Sequence, residues 1–286
     1  MILNYLITAF RAFARHKLHF VLNISGLCIG MAAAILVALY ASHEASYDSQ
    51  QPNAERVVRV EQFFIEMGMG IPLTNKNVLN RLRTLEGVED LLVLEHIPTA
   101  EEYRHQEQFY KLSGVFGASP NIQDFIQLEV VQGDLNHVLN TPQQMALSAS
   151  YAQMLFGKSD AIGQTLQQAD QVWTIGAVFA DLPENTHFAF NALRPMNAFS
   201  EFYRNNDSYN YLRLSQAGLE NKLQPQLEKA YTDLAYPGMT GKVIDLTLSP
   251  LTEIHLNGGV RHELKMTGSR SAIYICVGLS VLLIAL

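Results

Sequence analysis

Apolar residues crowd the two ends of the chain and are interleaved with polar ones between them. From Phe20 to Tyr40 there are 21 residues without a formal charge, dominated by Leu, Ile, Val and Ala. At about 1.5 Å per helical residue such a run covers the ~30 Å hydrocarbon core of a bilayer, which predicts a spanning helix over residues 20–41. A cleaved signal peptide has a shorter apolar region and a small-x-small site behind it, and no such site follows Tyr40. Ahead of the span, Asn4, Thr8, Arg11 and Arg15 recur at helical spacing while Leu3, Leu6, Phe10 and Phe13 line another face. This pattern predicts an amphipathic helix over residues 1–19, lying in the membrane interface and in contact with lipid. Ile273 to Leu286 is a second apolar run of 14 residues, too short to cross alone, and residues 272–286 read as the truncated start of a second span.

Between the apolar ends, residues 42–271 show no fixed-period repeat and no Gly/Ser linker, and predict one compact unit of one or two lobes. Val57–Ile65 has strand character; Lys76–Leu85 has apolar residues at helical spacing and a helix stop at Gly87. Gln108–Phe116 predicts a strand and Pro120–Ile126 a short helix. Met145–Leu147 runs as a strand into a helix over Ser148–Phe156, with serine at its start and Gly157 behind it. Gln164–Gln168 and Val172–Phe179 predict a hairpin around Ala169-Asp170. Gly218–Leu234 has helical periodicity interrupted by Pro225, and Val243–Leu248 alternates as a strand. This irregular alternation of short strands and helices gives an α+β fold class, attached to transmembrane helices.

Charge sets the orientation. Arg11, Arg15 and Lys17 precede the span and His43, Glu44 and Asp48 follow it, so the N-terminus is expected in the cytoplasm and the domain on the other side. Within the span Gly26, Gly30 and Ala34 repeat every four residues, a smooth stripe against which another helix can pack. The net charge of −7, from 20 basic and 27 acidic residues, excludes the basic surface that nucleic acid requires. Both cysteines, Cys28 and Cys276, lie in the apolar ends, so the domain has neither a disulfide nor a cysteine-built zinc site.

Catalytic chemistry finds no foothold. Gly157-Lys158-Ser159 resembles the end of a P-loop, but the loop's first glycine would fall at Ala152, and a helix precedes the segment where a strand is needed. His43-Glu44 has Tyr47 where a zinc protease carries its second histidine. From residue 42 to 271 the histidines form no pair at i, i+3 or i+4, and read as surface or hydrogen-bonding groups. No Gly-x-Ser-x-Gly is present, and the Glu101-Glu102 pair reads as a solvated face. The chain is therefore expected to be no enzyme, with no metal and no cofactor. Asp181 to His187 is the most conspicuous polar stretch and predicts a structured turn.

A resemblance sharpens this picture. Asn4-Tyr5-Leu6, Phe20 to Leu27, His43 to Asp48, Ala54 to Val60, Leu147 to Ala152, Leu155-Phe156-Gly157, Ile162-Gly163, Asp181 to His187 and Pro250 to Leu256 resemble, in order, stretches of ABC transporter permeases of the macrolide-exporter and FtsX-like type with their periplasmic core domain. The resemblance implies a subunit of the bacterial inner membrane with four spanning helices and a large periplasmic domain between the first two. It implies a cytoplasmic ABC ATPase subunit as partner, a homodimer or paired permease, a periplasmic partner, and domains that transmit helix motion for export or efflux. The chain stops short of the later spans and of the loop that docks the ATPase, so as it stands it is not expected to transport alone. The alternative is a membrane-tethered periplasmic regulatory or ligand-sensing protein without transport.

Overall fold

The computed structural model describes residues 17–96, 100–157, 160–196, 206–239 and 242–285. The expected interfacial helix, with Arg11 and Arg15, falls almost wholly outside them. The chain divides into two units, one holding residues 1–45 and 268–286 and the other Ser46–Thr267.

In the first unit, helix α1 (Lys17–Ala45) runs longer at both ends than the uncharged stretch that predicts it. It is the one described helix long and apolar enough to cross a membrane. A shorter apolar helix, Arg270–Ala285, packs against it. Most of the large apolar side chains of both helices are exposed, as lipid-facing helices require.

The second unit is built on a mixed sheet. Its strands, in chain order, are β1 (Val57–Phe64), β2 (Met69–Ile71), β3 (Leu73–Thr74), β4 (Val88–His96), β5 (Glu101–His105), β6 (Gln108–Leu112), β7 (Val115–Ala118), β8 (Val130–Gly133), β9 (Gln144–Ser148), β10 (Thr165–Gln168), β11 (Gln171–Phe179), β12 (Ala192–Pro195), β13 (Ser208–Leu214) and β14 (Ile244–Pro250). The spatial order is β14-β1-β13-β4-β7-β12-β9-β11-β10-β5-β6, with β2 beside β1, β3 beside β13 and β8 beside β11. Neighbours run antiparallel except β9 with β11 and β7 with β12, which are parallel.

At the β14 end both faces of the sheet are covered. Val58 and Val60 of β1, Leu91 and Val93 of β4 and Leu246 and Leu248 of β14 pack under the helices Lys76–Leu82 and Glu220–Ala235. Val57, Leu92, Leu94, Tyr209 and Tyr211 turn the other way into a cluster rich in Phe116, Phe125, Phe179, Phe188 and Phe190. At the β6 end a third cluster, around Trp173, Tyr103, Leu147 and Leu166, packs on the helix Ala149–Phe156. All three clusters therefore pack on one continuous sheet.

Three elements differ from their sequence signals. The strand expected over Gln108–Phe116 is two strands, β6 and β7, because Gly114 takes a φ of 67° between them. Pro120–Asp124 is a 3-10 turn. Glu220–Ala235 is one unbroken helix through Pro225: Leu223, Leu227 and Tyr231 bury a continuous stripe, and exposed Pro225 leaves the freed carbonyl of exposed Asn221 to water. The strand-to-helix passage at Ser148 and the hairpin at Ala169-Asp170 form as the sequence predicts, the Ser148 hydroxyl accepting from the Tyr151 amide at 3.3 Å.

Candidate functional site

Behind α1 the chain turns through Ser46–Gln51, where Asp48 takes a φ of 57° and is fully buried. A charged side chain survives there only with partners, and the turn Asp181–His187 supplies them. The Asp48 carboxylate accepts from the Thr186 hydroxyl, from the His187 amide at 3.1 Å and from His187 Nδ1 at 2.8 Å. With Nδ1 protonated, His187 Nε2 is left to accept from the Tyr211 hydroxyl at 2.8 Å. Around this chain the Asp48 amide donates to the Asn185 carbonyl at 3.0 Å, and Gln51 joins the Thr186 hydroxyl to the Gln127 amide.

Burial works to raise the Asp48 carboxyl, but the His187 ring and the hydrogen bonds from His187 and Thr186 outweigh it, and the group sits below the usual aspartate range. Burial drives the Tyr211 phenol well above its ordinary value, which keeps it a donor.

Arg59 stands directly across from Tyr211 in the β1–β13 ladder, on the same face. It is 1% exposed and is held by Glu61 at 2.7 Å and by both carboxylate oxygens of Glu263 at 2.5 and 2.7 Å. Burial opposes its charge, but Glu263 and Glu61 more than offset that and raise its pKa. Two residues along β13, Tyr209 donates to the His262 carbonyl at 2.6 Å. The Tyr47 ring stacks on His255 with centroids 3.4 Å apart.

Four stretches that carry the family resemblance, separated by as many as 200 residues, thus meet in one place: Ser46–Asp48, Arg59, Asn185–His187 and His255. Sequence reasoning took Asp181–His187 for a turn, and it is one at its start: Asp181 accepts from the Ser150 amide at 3.1 Å and the Ser150 hydroxyl at 2.6 Å, fastening the helix Ala149–Phe156. It missed the buried role of Asp48 and His187. The signal available was that an Asp in a turn and a His in a distant turn both sat inside stretches of resemblance.

Carboxylate, imidazole and hydroxyl in line also form a proton-transfer relay. Here His187 is 3% exposed and Tyr211 0%, so the hydroxyl is closed to any substrate and the arrangement serves as a buried fastening.

A second buried polar centre lies at the β6 end. Arg194 is 1% exposed, lies 4.4 Å over the Trp173 ring, and donates to Tyr103 Oη and Gln168 Oε1 at 3.0 Å, with Glu101 at 3.2 Å. Burial lowers its pKa despite Tyr103 and Glu101. Among the described residues no group of three His, Cys, Asp or Glu side chains is arranged to hold a metal ion.

The stripe residues of α1 are placed differently from one another. Gly26 is exposed with nothing within 4 Å of where a Cβ would stand, Gly30 has the Leu283 carbonyl 3.6 Å from that point, and Ala34 is buried. Lys17 is exposed at the start of α1, and Arg11 and Arg15 lie outside the described residues.

In chain order the protein is an apolar helix, a sheet-built α+β domain and a second apolar helix. Residues 20–230 match the MacB-like periplasmic core domain, and the chain belongs to that family. A domain assigned to a permease protein of Porphyromonas gingivalis superimposes with a TM-score of 0.58 at 18% identity, over 80% of this chain and 99% of its own. The extracellular domain of the noncanonic ABC-type transporter YknZ from Gram-positive bacteria gives 0.51 at 15% identity, over 67% of this chain and 98% of its own. The periplasmic region of MacB from Actinobacillus actinomycetemcomitans gives 0.49 at 12% identity, over 66% and 88%. At these identities the first two likenesses show the fold alone. No curated protein matches the chain.

Proposed function

We propose that this chain is a permease subunit, or the N-terminal portion of one, whose extracytoplasmic domain couples ATP hydrolysis by a cytoplasmic ABC ATPase partner to export or to a conformational change in the periplasm. The observation that carries the reading is the family match over residues 20–230, which takes in α1 and most of the domain together. The N-terminus lies in the cytoplasm on this reading, held there by Arg11, Arg15 and Lys17. The chain works as a homodimer or beside a paired permease, with Gly26 as the open part of the stripe available to a neighbouring helix. A periplasmic partner receives the motion of the domain.

The test is capture of the tagged protein from cross-linked native membranes. Co-purification of an ATPase with a complete P-loop is expected. A capture that repeatedly holds no ATPase would turn the reading toward a tethered regulatory protein. Replacing Gly26 and Gly30 with Leu is expected to disrupt assembly of the permease, and unchanged assembly would remove the packing stripe from the proposal.

A further inference from the structure

The segment that follows α1 and the segment that leads to Arg270–Ala285 are separated by most of the domain's sequence, yet they converge on the same few side chains. Ser46–Gln51 enters through Asp48, held by His187, which is held by Tyr211. Residues 257–267 leave through Glu263, held by Arg59, the cross-strand neighbour of Tyr211. Tyr209 takes the His262 carbonyl, the Arg261 amide donates to the Gly70 carbonyl at 2.9 Å, and Lys265 faces both Asp48 and Glu184, reaching the Glu184 carbonyl at 3.5 Å. Tyr47 of the first segment stacks on His255, just ahead of the second.

Every charge in this cluster has a partner: Asp48 accepts from His187 and faces Lys265, and Arg59 is matched by Glu61 and Glu263. Removing one group therefore leaves its partner buried and unmatched, and that cost falls on neighbours shared by both segments.

We propose that Asp48, His187, Tyr211, Arg59 and Glu263 form a clasp that fastens the entry and exit segments of the domain into one cooperative unit, so that neither loosens without the other. Its use in carrying helix motion into the domain rests on the permease reading above; the clasp itself rests on the geometry alone. A displacement entering at Ser46 is passed to residues 257–267 within the domain, before any membrane helix answers.

Hydrogen exchange on the full chain in lipid bilayers, without any ATPase, tests this separately from the transporter reading. Coupling between two places is reciprocal. Glu263→Gln is expected to speed exchange of the Asp48 and His187 amides about tenfold or more, and Asp48→Asn to do the same for the Arg261 amide. Tyr211→Phe removes a single hydroxyl from the middle and is expected to speed both. Acceleration confined to the exit side in Glu263→Gln, or to one side alone in Tyr211→Phe, would overturn the clasp, and these two variants decide the matter should Asp48→Asn fail to fold. Loss of ATPase capture with the reciprocal exchange intact would leave the clasp standing and remove only its role in transport.

Discussion

Asp48 is the residue on which the most depends. Its carboxyl is held below the usual aspartate range, because His187 and Thr186 favour the charged form more than burial penalises it. A group depressed in the folded state contributes stability that is complete above its unfolded pKa, about 3.9, and is lost as pH falls through the lower folded value. Asp48→Asn is expected to lower unfolding free energy by about 3 kcal/mol at pH 7, since it replaces the carboxylate that accepts from the Thr186 hydroxyl, the His187 amide and His187 Nδ1, all buried. The deficit should shrink as the wild type is taken below pH 4. Denaturant unfolding at pH 7 and pH 3 checks this, and an equal deficit at both would show that the charge of Asp48 contributes nothing. Arg194 is its counterpart at the far end of the sheet. Because it sits over the only tryptophan of the chain, unfolding of that end is readable by fluorescence alone.

At the scale of elements, the close approach of β8 to β11 depends on one residue. Gly133 has a φ of 76°, and a Cβ there would lie 2.0 Å from the Gly176 carbonyl oxygen and 2.9 Å from the Ala177 Cα, both backbone atoms that cannot swing aside. Gly133→Ala is expected to cost about 3 kcal/mol or more, by strain and by clash together. Unfolding within about 0.5 kcal/mol of wild type would mean that the strand pair shifts freely. The elements legible in the sequence were those whose signal is local: α1 from its uncharged run, the helix after Ser148 from its cap, the β10–β11 hairpin from its turn. Strand β4 was not legible, because Leu91, Leu92, Val93 and Leu94 bury alternately against both faces and leave no period to read. Pro225 misled for a related reason, since burial of Leu223 and Leu227 on either side of it holds the helix through a local break. The clasp was illegible because its residues come from five separate stretches and acquire partners only once β1 and β13 have paired.

For the molecule as a whole, the proposed topology turns on the charges ahead of α1. A reporter fused near Arg270 is expected to be active only outside the cytoplasm, and cytoplasmic activity would reverse the topology read from Arg11, Arg15 and Lys17. The convergence of both ends of the domain on β1 and β13 has a consequence for how such a protein is put together. A chain of more than 200 residues separates the two apolar helices, yet its ends are fastened to adjacent strands, so the folded domain closes its own loop. The helices then pay almost none of the closure entropy that so long a connection would otherwise impose, and can pair as though a short turn joined them. A body with neighbouring ends can be added to or removed from a helical hairpin as a cassette, leaving the membrane part to keep its own architecture.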